Sequence, residues 1–210
     1  MTILAFEFSS ARRSVALARD GIVLAEAAET GGYRVTNAFG LTEKVLVDAK
    51  ISREEVEVIA IGIGPGSYTG IRAAIAIAQG WQLAREIKLL GISSAEVLAA
   101  QAQAEKLFGH VSVIVDAQRG EFYLATWEIS ADARKEISPL KIVSAAEIEA
   151  LKLAGEICVG PEMERILFPN AAMLAQLASA RTDFVTGEKL EPIYLRETTF
   201  VKAAPLTRSY

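Results

Sequence analysis

Two acidic residues, each at the end of an apolar stretch, are the strongest candidates for chemistry. Glu7 ends a predicted strand and is followed by Ser9 and Ser10, and Asp116 ends another and is followed by Arg119. Backbone amides of such turns can hold phosphates while an acid positions a metal ion. These five residues define a candidate phosphate or nucleotide cleft. The alternative is that each acid is an exposed carboxylate at the end of a strand.

Histidine and cysteine are too scarce for most metal or nucleophile chemistry. A catalytic zinc site normally uses two or three imidazoles, whereas the chain has one histidine, His110, which we expect to be exposed at the start of a strand. The only cysteine, Cys158, lies between Ile157 and Val159 and is expected to be a core residue. We therefore predict neither a metal site nor a nucleophilic cysteine.

A glycine-rich loop from Gly62 to Gly70 joins the predicted strand Val58 to Ile63 to a helix. Its amides at the helix N-terminus could hold an anion, but the loop lacks the Lys-Ser/Thr ending of a nucleotide P-loop. A tight turn with Ser67 or Thr69 as the N-cap is the favoured interpretation.

The helix after this loop, Ile71 to Glu86, has nearly two apolar faces. Its strongly polar residues form one narrow stripe, and the rest are mostly Ala, Ile, Gly and Leu. A helix on a sheet needs one apolar face, so we expect the second to be covered by another helix or another chain. A second predicted helix, Thr36 to Ala49, has Thr36 or Asn37 as its N-cap. Two further local patterns predict a capping box of Ser52 and Glu55 and a hairpin turn at Asp20-Gly21.

Composition and charge limit the classes of protein to which this chain can belong. The chain has 210 residues, of which 51% are hydrophobic, and a formal net charge of −4. This charge argues against holding a nucleic acid alone over a broad phosphate footprint, so any RNA contact should need a partner's basic surface. We see neither a signal peptide nor a membrane span and expect a cytoplasmic protein.

The order of predicted elements repeats. Three antiparallel strands followed by alternating helices and strands occur first in residues 1–103 and again, in reduced form, in residues 104–210. The tail Pro192 to Arg196 is expected to pack across the second half. We predict an α/β protein of two ribonuclease-H-like, actin-like halves, the ASKHA architecture of actin, hexokinase and Hsp70, with mixed sheets flanked by helices.

Six segments together resemble the TsaB (YeaZ) family over the whole chain. They are Ile3-Leu4-Ala5, Ser14-Val15-Ala16-Leu17, Gly64-Pro65-Gly66-Ser67-Tyr68-Thr69-Gly70-Ile71-Arg72, Gly91-Ile92-Ser93-Ser94, Val115-Asp116-Ala117-Gln118-Arg119-Gly120-Glu121-Phe122-Tyr123 and Pro192-Ile193-Tyr194-Leu195-Arg196. The resemblance implies a subunit of the machinery that makes N6-threonylcarbamoyladenosine (t6A37) in tRNA. In that family a larger paralogue, TsaD, carries the metal through a His-x-x-x-His pair and transfers the threonylcarbamoyl group, and a small ATPase, TsaE, joins the pair.

The resemblance also implies a helical partner surface. TsaB-like chains bind TsaD through their first domain and form homodimers in isolation through the same helices. Carried onto this sequence, the expected four-helix contact uses the predicted helices at Thr36 to Ala49 and from Thr69 onward. The candidate interface residues are Leu41, Val45, Ile71, Arg72, Ala74, Ile75, Ala78 and Gln82.

Two departures from the family pattern favour a noncatalytic role. The chain has no second histidine for the metal site of the paralogue, and the first turn reads Glu7-Phe8-Ser9 where relatives have Asp-Thr-Ser. The region Gly31 to Asn37 also lacks the histidine usual there, and we draw no conclusion from that difference. We expect no required cofactor, with weak binding of ATP or ADP in the interdomain cleft left open. The alternatives are a small ASKHA kinase using Glu7, Asp116 and magnesium, and a peptidase built on Ser67 and His110.

Overall fold

The first sheet combines an antiparallel meander with two parallel strands. A computed structural model describes residues 1–31 and 37–195. Strands β1 (Thr2–Glu7), β2 (Arg12–Arg19), β3 (Ile22–Thr30), β4 (Val58–Gly62) and β5 (Lys88–Ile92) take the order β3-β2-β1-β4-β5. Asp20 and Gly21, both at positive φ, make the tight turn between β2 and β3. Strands β4 and β5 run parallel to β1, which is buried along its whole length.

The second sheet repeats this topology. It consists of β6 (Gly109–Asp116), β7 (Glu121–Ile129), β8 (Arg134–Ser144), β9 (Ile157–Gly160) and β10 (Arg165–Ile166), in the order β10-β9-β6-β7-β8. Strands β6, β7 and β8 are antiparallel, and β9 lies parallel to β6. The predicted fold class, two mixed α/β sheets of actin-like topology, is confirmed. The sequence did not indicate β10, which has only two exposed residues.

Five helices connect and cover the sheets, and a polar side chain caps the start of each one. They are α1 (Ala38–Ala49), α2 (Tyr68–Ala84), α3 (Ser94–Ala104), α4 (Ala145–Leu153) and α5 (Ala171–Ser179). Asn37 caps α1 and Ser67 caps α2, so one of the two candidates named for each cap is confirmed. Thr36, the other candidate for α1, lies outside the described residues. The predicted capping box of Ser52 and Glu55 is also present.

Helices from each half of the chain pack on the sheet of the other half. Helices α1 and α2 cover one face of the first sheet, and α5, from late in the chain, covers the opposite face. The N–H of Ala171 in α5 donates to the buried Ser14 hydroxyl of β2 at 2.8 Å. Helix α3, which precedes β6, packs on the second sheet. The proposed division after residue 103 separates the strands of the two sheets, but α5 crosses back over it.

The segment after α5 returns to the first sheet. Leu190 is buried with the core under α2, and the N–H of Ile193 donates to the Ile63 carbonyl at 2.9 Å. Tyr194 then stacks against Tyr68. Ile193 and Tyr194 therefore lie against the glycine loop and the start of α2, and the packing of this tail across the second half stays a prediction. Arg196 lies outside the described part of the chain.

No helix among residues 1–31 and 37–195 is long and apolar enough to cross a membrane.

Candidate functional site

Glu7, the first candidate acid, is enclosed at the end of β1. It is fully buried, and its Oε1 accepts a hydrogen bond from the Ser9 N–H at 2.8 Å. Its Oε2 accepts one from the Ser94 hydroxyl of α3 at 2.9 Å. Burial raises the pKa of Glu7, and the hydrogen bonds from Ser9 and Ser94 oppose that shift. The side chain is neither the exposed strand-end carboxylate nor the cleft acid that the sequence suggested.

The glycine loop packs closely against the turn between β1 and β2. A Cβ on Gly62 would overlap the Glu7 carboxylate, and one on Gly66 or Gly70 would overlap the carbonyl oxygen of Ser9 or Phe8. The Ser67 N–H donates to the Ser9 carbonyl at 2.6 Å. These glycines thus serve close backbone packing between the loop and the β1–β2 turn, which agrees with the turn interpretation of the loop.

The first turn does not fit a bound phosphate. The Ser9 amide is already committed to Glu7, and the Ser9 hydroxyl is buried and has no partner within the described ranges. The Ser10 hydroxyl donates to the Arg12 carbonyl at 2.9 Å. Phe8 is fully buried and packs edge-on against Phe6. The amides and hydroxyls that would cradle a phosphate are therefore used or covered.

The second turn is held by its own acid. Both carboxylate oxygens of Asp116 accept hydrogen bonds from Gln118, one from its N–H at 2.8 Å and one from its side-chain amide at 2.7 Å. Arg119 is exposed and has a positive φ. Burial raises the pKa of Glu162, and the neighbouring Asp116 charge adds to the rise. Each acid is thus hydrogen-bonded to residues beside it, Glu7 to Ser9 and Ser94 and Asp116 to Gln118. The five-residue cleft stays a prediction.

The other chemistry-bearing residues are also apart. The Ser67 hydroxyl accepts the Gly70 N–H as a cap at 3.3 Å, whereas His110 is exposed on β6 and lies opposite Glu128 of β7. Cys158 is buried beside Ile148, as expected, and burial raises the pKa of its thiol. In the part of the chain that the structure describes, no three His, Cys, Asp or Glu side chains are grouped to hold a metal ion.

Most of the candidate interface residues face inward. Helical spacing places them against the first sheet, where they join the core under α1 and α2: Leu41, Val45, Ile71, Ala74, Ile75 and Ala78. Gln82 is half-buried and accepts the Gly187 N–H at 2.7 Å. Among the candidates only Arg72 is exposed. These six apolar residues are therefore corrected from partner contacts to core residues, and a charge at Ala74 or Ala78 would test the fold rather than an interface.

The outward side of the same two helices carries exposed apolar residues that the candidate list missed. Phe39 and Val47 of α1 are 75% and 70% exposed, and Leu83 of α2 is 90% exposed. Ala76 and Gly80 of α2 are exposed as well. We call these five residues the α1–α2 surface. The sequence signal was present, because bulky Ile71 and Ile75 mark one face of α2 and small residues mark the other.

A groove of about 560 Å³ runs between α1 and α2 on this side. Phe39 and Thr42 line it from α1, and Ile77, Gly80 and Trp81 line it from α2. Gly80 has no side chain, which leaves the groove open at this position, and nothing lies within 4 Å of a Cβ placed there. Exposed large apolar side chains around such a groove are typical of a protein–protein contact.

Comparison with known proteins gives a consistent result. Residues 19–194 match the model of a family described as TsaD, tRNA N6-adenosine threonylcarbamoyltransferase. The chain is 28% identical to the tRNA threonylcarbamoyladenosine biosynthesis protein TsaB of Escherichia coli, covering 98% of this chain and 99% of that protein. It is 30% identical to TsaB of Bacillus subtilis, covering 72% and 66%.

Among solved structures, YeaZ from Pseudomonas aeruginosa is similar in fold. The TM-score is 0.78 at 24% identity, and the match covers 92% of this chain and 100% of that one.

Proposed function

Because this chain belongs to the family described as TsaD, tRNA N6-adenosine threonylcarbamoyltransferase, and within it to the TsaB (YeaZ) group, we propose a role for it in the synthesis of t6A in tRNA. The role is that of a noncatalytic activating subunit. It binds a metal-containing TsaD-like transferase and positions it for the reaction. A TsaE-like ATPase joins the pair, and the tRNA is held by the complex.

The observation that carries this proposal is the α1–α2 surface. Three large apolar side chains, Phe39, Val47 and Leu83, stand out from helices whose inner faces are already filled by the first sheet. Burying them against a matching pair of helices removes apolar area from water and forms a four-helix contact. In the absence of the transferase, a second copy of the chain meets the same surface.

The enclosed first turn supports a role without turnover. Both oxygens of the fully buried Glu7 accept hydrogen bonds, from Ser9 and Ser94, and the side chain cannot reach a metal ion without opening the turn. The same enclosure removes the support for a small kinase that uses Glu7 and Asp116. A noncatalytic subunit needs no cofactor.

The test is reconstitution of tRNA threonylcarbamoylation from TsaD-like and TsaE-like proteins and preformed threonylcarbamoyl-adenylate, with this chain present or omitted. Nucleoside mass spectrometry measures the product. Product is expected only with the chain present, and Asp116→Ala should still support it. Product formation without the chain would overturn the proposal.

A matched pair of leucines tests the surface. Leu83 of α2 and Leu153 of α4 are 90% and 89% exposed, and each is on a helix. Leu83→Glu should abolish co-elution with the transferase, because a carboxylate would be buried in the contact. Leu153→Glu is the control and should leave co-elution unchanged. If the two variants co-elute with the transferase to the same extent, α2 is not part of the contact.

A further inference from the structure

Two tyrosines from distant parts of the chain form an exposed aromatic pair beside the glycine loop. Tyr68 opens α2, and Tyr194 lies in the segment that follows α5. Their ring centroids are 5.1 Å apart with an interplanar angle of 30°. Tyr68 is 55% exposed and Tyr194 is 42% exposed, so both rings retain accessible surface.

Both tyrosines are held in place by the residues next to them. The N–H of Ile193 donates to the Ile63 carbonyl at 2.9 Å, and Leu190 is buried in the core under α2. Tyr194 is therefore held directly after an anchored residue, and Tyr68 is held by the capped first turn of α2. A preorganised aromatic surface loses less conformational entropy on binding than a mobile one.

An arginine completes this surface. Arg72 lies one helical turn after Tyr68, with its Cζ 5.3 Å from the ring centroid and its Nη1 donating to the Tyr68 hydroxyl at 2.9 Å. Within residues 1–31 and 37–195 no carboxylate lies within ion-pair distance of Arg72, whereas Arg19, Arg53 and Arg181 each have one. The guanidinium keeps free N–H groups on an exposed surface.

The phenol of Tyr194 does not add negative charge to this surface. Burial and the nearby Tyr68 raise the pKa of Tyr194 to about 12, although Arg72 opposes the shift. Tyr194 is therefore neutral over the working range of pH. The combination of two aromatic faces and one unpaired cation suits a planar ligand that carries a negative charge.

We propose that Tyr68, Tyr194 and Arg72 form a stacking site for a nucleotide, in which the base lies against the tyrosine rings and a phosphate accepts hydrogen bonds from Arg72. Aromatic side chains stack on every base, and arginine is suited to phosphate through its planar fork. The nucleotide is either free or part of single-stranded RNA. The RNA source rests on the proposed function in tRNA modification, whereas the free nucleotide does not.

The test measures binding by the full chain of a short fluorescein-labelled oligoadenylate, by fluorescence anisotropy at low salt, with AMP as competitor. Tyr194→Leu keeps an apolar contact but removes the ring and should weaken binding about tenfold. Tyr194→Phe keeps the ring and should bind like the wild type. Arg72→Gln should weaken binding and reduce the slope of log K against log salt by about 0.7.

The source of the nucleotide is read from the same titrations. If the affinity for AMP, measured by competition, is as high as the affinity for the oligomer counted per nucleotide, the ligand is a free nucleotide. If the oligomer binds far more tightly and with a steeper salt dependence, the ligand is RNA.

Two results would overturn the site. The first is that Tyr194→Leu and Arg72→Gln bind the oligomer and AMP as tightly as the wild type does. The same conclusion follows if the wild type and these two variants all fail to bind either ligand. The second is that these variants lose association with the transferase and not with nucleotide, which would make the surface a protein contact. Leu83→Glu separates the two proposals, since it should leave oligomer binding by the isolated chain intact while abolishing transferase binding.

Discussion

The carboxylate of Glu7 occupies the space that a side chain on Gly62 would need. Gly62 ends β4, the parallel neighbour of β1, so the two residues meet at the same edge of the first sheet. With Ser94 bonding from α3, this edge becomes a closed polar pocket around one buried acid. An acid held in this way couples the stability of the fold to pH.

Glu7 should make the protein less stable as pH rises. Its pKa in the folded state is raised above the reference value of 4.5 by burial, so the folded state binds a proton that the unfolded state has released. Between the two pKa values the free energy of unfolding falls with pH, by up to about 1.4 kcal/mol per pH unit. Urea unfolding of the wild type and of Glu7→Gln, from pH 4.5 to neutral, measures this contribution as the difference between the two proteins. A difference that stays constant or grows in favour of the wild type would contradict the assignment.

Two glycines of α2 should respond in opposite ways to the same substitution. A Cβ on Gly70 would overlap the Phe8 carbonyl, whereas nothing lies within 4 Å of a Cβ on Gly80. Gly70→Ala should destabilise the protein by about 1–3 kcal/mol through overpacking, and Gly80→Ala should stabilise it by about 0.5–1 kcal/mol through helix propensity. Chemical denaturation measures both. Equal effects would mean that α2 does not approach the β1–β2 turn as described.

Two alanines test which side of α2 faces the sheet. Ala74 is fully buried and Ala76 is exposed. Ala74→Glu should unfold the chain or cost several kcal/mol, because it places an unpaired carboxylate in the core. Ala76→Glu should leave the thermal midpoint within a few degrees of the wild type while weakening association with the transferase. Thermal unfolding and gel filtration of both variants read the two effects separately.

The ion pair between Glu96 of α3 and Arg181 after α5 should contribute measurably to stability. Arg181 donates to both oxygens of Glu96 at 2.7 and 2.6 Å, and both side chains are partly buried. Burial lowers the pKa of nearby Arg134, Glu96 opposes this, and Arg181 adds to it. Loss of the Glu96 charge therefore leaves the repulsion between the two arginines without this compensation, although Asp183 still pairs with Arg181. Glu96→Gln should cost about 1–3 kcal/mol. Lys44→Gln, which breaks an exposed pair with Asp48, is the control and should cost less than about 1 kcal/mol.

The sequence predicted what depends on neighbouring residues. The cap at Asn37, the capping box at Ser52 and the turn at Asp20 and Gly21 each need only a few consecutive positions, and all are present. The repeated strand order followed from the same local patterns. Such signals do not depend on how distant segments pack.

The candidate site depended on distant contacts and was mostly not recovered. Glu7 is enclosed by Ser94, 87 positions later, and no local pattern announces that bond. On α2 the apolar composition predicted a second face for a partner, but it did not tell which face the sheet takes. That choice is made by the fit of Ile71 and Ile75 against β1 and β4, which is a property of tertiary packing.

The return of α5 to the first sheet has a consequence during protein synthesis. The face of the first sheet formed by Ile3, Ala5 and Val58 is covered only in part, by Val97 of α3, until residues 171–179 have left the ribosome. The first sheet therefore cannot complete its core as an independent nascent domain. A polypeptide ending at Ala104 is expected to bind a hydrophobic dye and to lose that binding when a fragment that contains α5 is added.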